Sequence, residues 1–219
     1  MSKKIIDLFC GAGGFSYGFE KEGFESILAI DKWDQAVETY NLNHKNKTAI
    51  SMDIKEYDNK KIENLLQKNE VIGIIGGPPC QGFSMAGQRN ENDDRNKLID
   101  SYVKFISLVK PKLIFFENVK GFTMEFKDNG KKGRKYSEIV IEKLQKEGYN
   151  VYGQLINFGD YGIPQKRTRF ILIGIRADIE NSSVEKADKS SILSLSPKRN
   201  SEIFSACWAA SFPKRVWMT

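Results

Sequence analysis

Short apolar strand patterns alternate with amphipathic helix patterns along residues 1–176, and this alternation limits the folds that the chain can adopt. The strand patterns cover residues 3–9, 24–30, 48–52, 71–75, 112–116, 151–157 and 169–175. Helix patterns separate them at residues 15–22, 33–42, around 62–66, 98–109 and 136–146. Strands that alternate with helices in this way predict an α/β fold, a doubly wound and mostly parallel sheet with helices on both faces.

The composition predicts one domain in a reducing compartment. We expect residues 1–176 to form the domain, 177–202 a polar linker and 203–219 a short apolar tail. No apolar run approaches the ~20 residues needed to span a bilayer, and Asp7 interrupts any signal-peptide pattern. Cys10, Cys80 and Cys207 have neither a paired nor a metal-ligand spacing. These features predict a cytoplasmic protein that uses no metal and no membrane. The net charge of +6 is compatible with a polyanionic partner.

A glycine-rich loop follows the first strand pattern and opens the first helix. Gly11, Gly13 and Gly14 are placed as in nucleotide-binding loops. The dinucleotide fingerprint requires a further glycine at position 16, where this chain has Ser16. The spacing therefore argues against NAD and leaves another adenosine-containing ligand open.

Aspartates end the second and third strand patterns. Asp31 suits a ribose diol, since a carboxylate can accept hydrogen bonds from two hydroxyl groups. Asp53 could accept from an adenine amino group. Helix N-capping is the alternative role for each aspartate, and the sequence leaves both roles open.

A glycine- and proline-rich loop follows the strand pattern at 71–75 and carries one thiol. Two glycines and two prolines predict a stiff loop that holds Cys80 at the carboxyl end of a strand, where open α/β sheets bind ligands. The alternative is a turn with an incidental buried cysteine. A hydrolase-type Cys–His pair is not expected, because we interpret His44 as a surface residue at the opposite edge of the sheet.

Charged residues lie at the end of one later strand pattern and at the start of another. Glu117 ends the strand expected beside that of Cys80, and either a proton-transferring carboxyl or a helix cap fits this position. Arg167 and Arg169 alternate, so they point to one face of a strand, although a solvated charge cluster is the alternative. The polar stretch 85–95 predicts a mobile loop that could close over a ligand.

Four ordered motifs resemble those of DNA (cytosine-5)-methyltransferases. They are Asp-Leu-Phe-Cys-Gly-Ala-Gly-Gly-Phe (7–15), Pro-Pro-Cys-Gln-Gly-Phe-Ser (78–84), Glu-Asn-Val (117–119, followed by Gly-Phe at 121–122) and Asp-Tyr-Gly-Ile-Pro-Gln (160–165) before the arginines. The resemblance covers roughly residues 4–176. It implies the Rossmann-like fold of S-adenosylmethionine-dependent methyltransferases, with a terminal antiparallel strand.

The resemblance also implies roles for individual residues. Cys80 would attack carbon 6 of cytosine, Glu117 would hydrogen-bond or protonate ring nitrogen 3, Arg169 would hold the carbonyl oxygen of the base, and Arg167 would position this group or contact phosphate. The target base in DNA would leave the helical stack. The residues that would bind S-adenosylmethionine are Phe9, Gly11, Ala12, Gly13, Gly14, Asp31, Lys32, Asp53, Ile54, Pro78 and Leu98.

The chain departs from the family after Arg176. The family normally continues into a target-recognition region and a closing segment, and neither is recognisable here. We therefore expect one part of a split or truncated enzyme, with a second polypeptide that carries these segments. An RNA cytosine-5 methyltransferase and a non-catalytic remnant that binds cofactor or DNA remain as alternatives.

Overall fold

A computed structural model describes residues 3–79, 96–128 and 131–179. Its strands are β1 (Lys3–Leu8), β2 (Phe24–Asp31), β3 (Ala49–Ser51), β4 (Val71–Gly76), β5 (Leu113–Val119), β6 (Glu125–Asp128), β7 (Lys131–Lys135), β8 (Tyr149–Asn157) and β9 (Thr168–Arg176). Its helices are α1 (Gly14–Lys21), α2 (Asp34–Asn43), α3 (Asn59–Lys68), α4 (Asn96–Val109) and α5 (Tyr136–Lys146). The predicted order of strands and helices is confirmed.

Seven strands form one sheet in the order β3-β2-β1-β4-β5-β9-β8. The pairs among β1 to β5 are parallel, whereas β9 runs antiparallel to both β5 and β8. The predicted doubly wound sheet and its antiparallel strand near the end of the chain are therefore confirmed. The carboxyl ends of β1, β2, β4 and β5 meet at one edge.

Helices cover both faces of the sheet, so adjacent residues of one strand belong to different apolar clusters. Ile5 packs with Phe15 and Phe19 of α1, whereas Ile6 packs in the cluster that contains residues of α3, α4 and α5. Side chains of a strand alternate between faces, so continuous apolar runs are needed when both faces are buried. This explains why the strand patterns contain few polar residues.

One acidic residue lies in the buried part of β1. Asp7 is 1% exposed, and its Oδ2 accepts a hydrogen bond of 2.7 Å from the Ser16 hydroxyl of α1. Burial raises the pKa of Asp7 to about 7, although the bond from Ser16 opposes the rise. The contact links the first strand to the first helix behind the glycine-rich loop.

Two elements differ from the sequence prediction. Strand β5 continues three residues beyond Phe116 because it pairs with β9 as far as Val119 opposite Arg169. The hairpin of β6 and β7 was not predicted, since its strands are polar and lack apolar alternation. Asp-Asn-Gly at 128–130 is a hairpin-turn signal that could have indicated it.

Several predictions concern residues outside the described ranges. They are the attacking thiol of Cys80, the mobile loop 85–95, the apolar tail 203–219 and most of the linker 177–202. In the part of the chain that the structure describes, no helix is long and apolar enough to cross a membrane. The same residues contain no group of three or more histidine, cysteine or acidic side chains that could hold a metal ion.

Candidate active site

A cavity of about 300 Å³ lies at the carboxyl edge of the sheet, beside the ends of β1, β2 and β4. Six of the residues predicted to bind cofactor line it: Phe9, Asp31, Lys32, Asp53, Ile54 and Leu98. The sequence reasoning missed five other lining residues: Ile30, Met52, Lys55, Gly77 and Pro79. Apolar walls with a few carboxylates are typical of sites for a small organic ligand.

Asp31 joins the end of β2 to the glycine-rich loop. Its Oδ2 accepts a hydrogen bond of 2.8 Å from the Gly11 N–H, and its Oδ1 accepts one of 2.9 Å from the Trp33 N–H. Each carboxylate oxygen can accept two hydrogen bonds, so each retains capacity for a ligand hydroxyl. The geometry is compatible with the predicted ribose contact.

Asp53 also lines the cavity and has two hydrogen-bonding partners. It caps a short 3-10 helix, Ile54–Glu56, by accepting from the Lys55 N–H, and its second carboxylate oxygen leaves the adenine contact open. Its Oδ2 also pairs with the Lys32 Nζ at 2.9 Å. The Lys55 N–H and, more weakly, the Lys32 ammonium lower the pKa of Asp53. Since Lys32 is largely exposed, the pair contributes little to stability.

Phe9 carries backbone strain where the chain leaves β1. Its φ is +62°, a left-handed conformation that a bulky side chain rarely adopts. Strain of this kind concentrates at ligand sites, where the surrounding structure holds it. The strained residue also lines the cavity.

The Glu117 carboxylate and the Arg169 guanidinium form an ion pair between β5 and β9. The Arg169 Nε lies 2.8 Å from the Glu117 Oε1, and both side chains are mostly buried. Burial raises the pKa of Glu117, while the charges of Arg169 and Arg167 act in the opposite direction. A carboxyl group balanced in this way can hold or accept a proton at modest cost.

The loop that leads toward Cys80 begins beside this ion pair. A Cβ added to Gly77 would lie 3.2 Å from the Glu117 Oε2, so glycine lets the loop pass close to this carboxylate without a tight contact. Asn118, which is 2% exposed, donates from Nδ2 to the Pro78 carbonyl oxygen at 3.1 Å. The sequence reasoning quoted Asn118 within the Glu-Asn-Val motif but assigned it no role.

We expect Asn118→Ala to lower turnover about tenfold or more. The Pro78 carbonyl would lose its buried hydrogen bond, and the loop would no longer be held in position. Loss of such a bond costs about 1–3 kcal/mol of stability. Steady-state turnover and the free energy of unfolding should both be measured. Asn41→Ala is the matched control, since Asn41 bonds the Ala49 backbone at 2.9 Å beside β3. Equal losses of turnover in both variants would make Asn118 a purely structural residue.

The other predicted site residues also lie near this edge of the sheet. Gly11, Ala12, Gly13 and Gly14 form the loop between β1 and α1, and Pro78 follows β4. Arg167 directly precedes β9, and its charge acts on Glu117. Cys80 lies outside the described residues.

The interpretation of His44 as a surface residue is wrong. His44 is only 4% exposed, and its ring stacks on Tyr40 with centroids 3.9 Å apart. It contacts Glu20 and the carbonyl of Gly13 in the glycine-rich loop. The sequence position after α2 suggested an exposed residue at the opposite edge of the sheet, but packing against α1 and the glycine-rich loop after β1 buries the ring.

The sheet order and the cavity at its carboxyl edge define the class of the chain, that of the Rossmann-like methyltransferases. Among solved structures, it is similar to S. pombe Dnmt2 methyltransferase, with a TM-score of 0.63, 25% identity, and coverage of 81% of this chain and 50% of that one. It shares its fold with Entamoeba histolytica methyltransferase EhMeth, with a TM-score of 0.64, 24% identity, and coverage of 80% and 53%.

The chain belongs to the family of C-5 cytosine-specific DNA methylases, whose family model matches residues 3–206. It is 43% identical over 175 residues to the Type II methyltransferase M.DdeI of Desulfomicrobium norvegicum, covering 80% of this chain and 41% of that protein. It is 40% identical over 184 residues to the Type II methyltransferase M.FnuDI of Fusobacterium nucleatum, covering 83% and 49%. The chain thus spans less than half the length of these two curated relatives.

Proposed function

We propose that this chain supplies the cofactor-binding and catalytic part of an enzyme that transfers a methyl group from S-adenosylmethionine to carbon 5 of cytosine in DNA. The observation that carries the proposal is the Glu117–Arg169 ion pair beside Gly77, at the same edge as the cavity. An acid, a cation and the loop of a candidate nucleophile then share one site with a ligand cavity.

The cavity suits the adenosine part of S-adenosylmethionine. Phe9, Ile54 and Leu98 offer apolar surface for a planar base. The Asp31 carboxylate retains acceptor capacity for ribose hydroxyls. Asp53 is the acceptor for the adenine amino group, in competition with the Lys32 ammonium. When bound, S-adenosylmethionine supplies an electrophilic methyl group.

Carbon 5 of cytosine is a poor nucleophile, which gives the thiol of Cys80 a chemical purpose. Addition of the thiolate to carbon 6 makes carbon 5 enamine-like and able to accept a methyl group. Loss of the carbon 5 proton to water, elimination of the thiolate and loss of the proton gained by ring nitrogen 3 then restore the neutral aromatic ring. Because carbon 6 is inaccessible in a stacked duplex, the base must first leave the helix.

Glu117 and Arg169 act on the ring during this addition. A protonated Glu117 donates to ring nitrogen 3 as the thiolate adds, and its raised pKa favours this form. The Arg169 guanidinium binds the carbonyl oxygen at carbon 2 of the base. Arg167 lowers the pKa of Glu117 through its charge and so limits the rise caused by burial.

The proposal is tested by measuring 5-methylcytosine in DNA after incubation with S-adenosylmethionine. We expect little methylation by the isolated chain and weak cofactor binding, because the relatives carry more than half of their length outside the matched region. Supplying that remaining part of the 43% identical relative, as a fusion or as a second polypeptide, is expected to restore site-specific methylation. Mass spectrometry of hydrolysed DNA identifies the product.

Three outcomes would contradict parts of this proposal. Product in RNA but not in DNA would favour the RNA alternative. Ordinary turnover by the isolated chain would show that no further polypeptide is needed. Absence of product in every combination, with intact folding, would favour a non-catalytic protein.

A further inference from the structure

His44 contacts two groups of the segment that contains the glycine-rich loop and α1, beside the candidate cofactor site. Its Nδ1 lies 2.9 Å from both carboxylate oxygens of Glu20 in α1, and its Nε2 lies 3.1 Å from the carbonyl oxygen of Gly13. Tyr40 stacks on one face of the ring, and Tyr17 meets it edge to face. The side chain of His44 is 1% exposed, so almost none of the ring meets water that could compete for these contacts.

The partners of the ring determine where its hydrogens lie. The Gly13 carbonyl oxygen can only accept, so Nε2 must carry a hydrogen and donate it. The Glu20 carboxylate holds Nδ1 from the other side of the ring. A buried ring with a carboxylate on its other nitrogen is well oriented, as are histidines that bind a metal ion through one nitrogen and a carboxylate through the other.

The peptide between Gly13 and Gly14 is oriented through its carbonyl oxygen, which accepts a hydrogen bond of 2.8 Å from the Tyr17 N–H of α1 and is also held by the His44 Nε2 at 3.1 Å. No described peptide bond is cis, and in a planar trans peptide the C=O and N–H point in opposite directions. Since the Gly13 carbonyl faces His44, the N–H of Gly14 faces away from His44. Gly14 is the first residue of α1, so its N–H has no acceptor within that helix.

The packing leaves the Gly13 backbone little room for another position. Its φ is +89°, and a Cβ at this residue would lie 2.1 Å from the His44 Nε2 and 2.7 Å from the Tyr40 Cδ2. At its other end the loop is held by the bond from the Gly11 N–H to Asp31. The glycine-rich loop is thus fixed at both ends by side chains from other elements.

We propose that His44 is a positioning residue for cofactor binding, which holds the Gly13–Gly14 peptide so that the Gly14 N–H is presented to the ligand. The inference rests on the proposed function, because it concerns the same cofactor. An N–H at a helix N-terminus attracts an anion, and the anionic group of the cofactor is the carboxylate of its amino-acid end. His44 therefore acts on the amino-acid end and not on the adenosine end.

Two ligands allow binding of the adenosine end and of the amino-acid end to be measured separately. S-adenosylhomocysteine carries both the adenosine and the amino-acid group, whereas 5′-methylthioadenosine lacks the amino-acid group. Dissociation constants for both are measured on the 219-residue chain by ligand-observed NMR, which reaches the millimolar range. The ratio of the two constants cancels any change in the folded fraction of the protein.

We expect His44→Phe, which keeps an aromatic ring beside Tyr40, to weaken binding of S-adenosylhomocysteine roughly tenfold, the effect of one hydrogen bond. Binding of 5′-methylthioadenosine should stay within about twofold, well below the effect of one such bond. Glu20→Ala, at a partly exposed residue, should shift the ratio in the same direction by about threefold, since the ring is then less well held. This second variant serves if His44→Phe fails to fold.

Two control variants should keep the ratio of the wild-type chain. Tyr40→Phe removes the hydroxyl that bonds Ser26 in the same buried cluster, and it keeps the ring that faces Gly13. Glu20→Gln still orients the ring, because its amide can donate to Nδ1 while Nε2 donates to Gly13.

The outcomes distinguish the two proposals. If the wild-type chain binds both ligands and His44→Phe or Glu20→Ala weakens both equally or neither, the positioning role is wrong while the proposed function stands. If the folded wild-type chain binds neither ligand, the proposed function fails and the positioning role with it. A change in the ratio that the two controls share would make the whole cluster structural.

Discussion

Replacing Cys80 with serine is expected to abolish methyl transfer, because a serine hydroxyl does not provide the nucleophile that a thiolate offers to carbon 6 of the base. S-adenosylmethionine binding should survive, since the described residues Phe9, Asp31 and Ile54 line the candidate cofactor cavity. Methyl incorporation into DNA is measured with the assembled enzyme, and cofactor affinity is measured in parallel. Cys207→Ser is the matched control and is expected to keep activity.

A covalent trap gives an independent measurement of the same role. DNA that contains 5-fluorocytosine should form an adduct that mass spectrometry locates on Cys80. Cys10 is an internal comparison, because it is 6% exposed and burial raises the pKa of its thiol well above the usual range. An adduct on Cys10, or full activity of the serine variant, would reject the role of Cys80.

Glu117→Gln and Arg169→Ala are each expected to reduce turnover at least about a hundredfold, the low end for a positioned acid–base group. The glutamine cannot donate a carboxyl proton to the base, and the alanine removes the cation at its carbonyl oxygen. We expect stability to fall by about 1 kcal/mol, the usual size for a point mutation. Turnover and thermal unfolding should be measured on the same preparations.

Arg176→Ala is the matched control for the arginine. Arg176 lies at the other end of β9, where it pairs with Asp178 and bonds the Lys110 carbonyl oxygen. Its loss should affect stability to a similar degree and leave turnover largely unchanged. If activity merely followed the melting temperature in all three variants, Glu117 and Arg169 would be structural residues.

The main sheet of the fold could be predicted because its strands are apolar on both faces and its helices have one apolar stripe. Residues such as Ile74 and Ile75 pack on opposite faces of the sheet, which produces the continuous apolar run seen in the sequence. Polar segments carry no such pattern, so the hairpin of β6 and β7 was missed. The last residues of β5 were missed because pairing with β9 extends the strand.

The candidate site could be predicted as a set of residue types at strand ends, but not as a set of contacts. The loops after β1 and β4 contain the glycines that permit close backbone approach, and this requirement is visible in the sequence. The partners of each aspartate depend on the neighbouring strands. Asp53 accepts from a lysine side chain, whereas Asp31 accepts from backbone N–H groups. Asp53 bonds Lys32 across 21 residues, a pairing that no local pattern indicates.

The sequence by itself determined the order of strands and helices, the motifs at the strand ends and the residues able to carry the chemistry, because these follow from local periodicity and side-chain type. Only the tertiary structure decided that Glu117 meets Arg169, that Asn118 holds Pro78 across 40 residues, and that His44 reaches Gly13 across 31. Contacts between distant residues depend on strand order and on the packing of helices against the sheet, and buried polar groups then bond whichever partner the fold brings near.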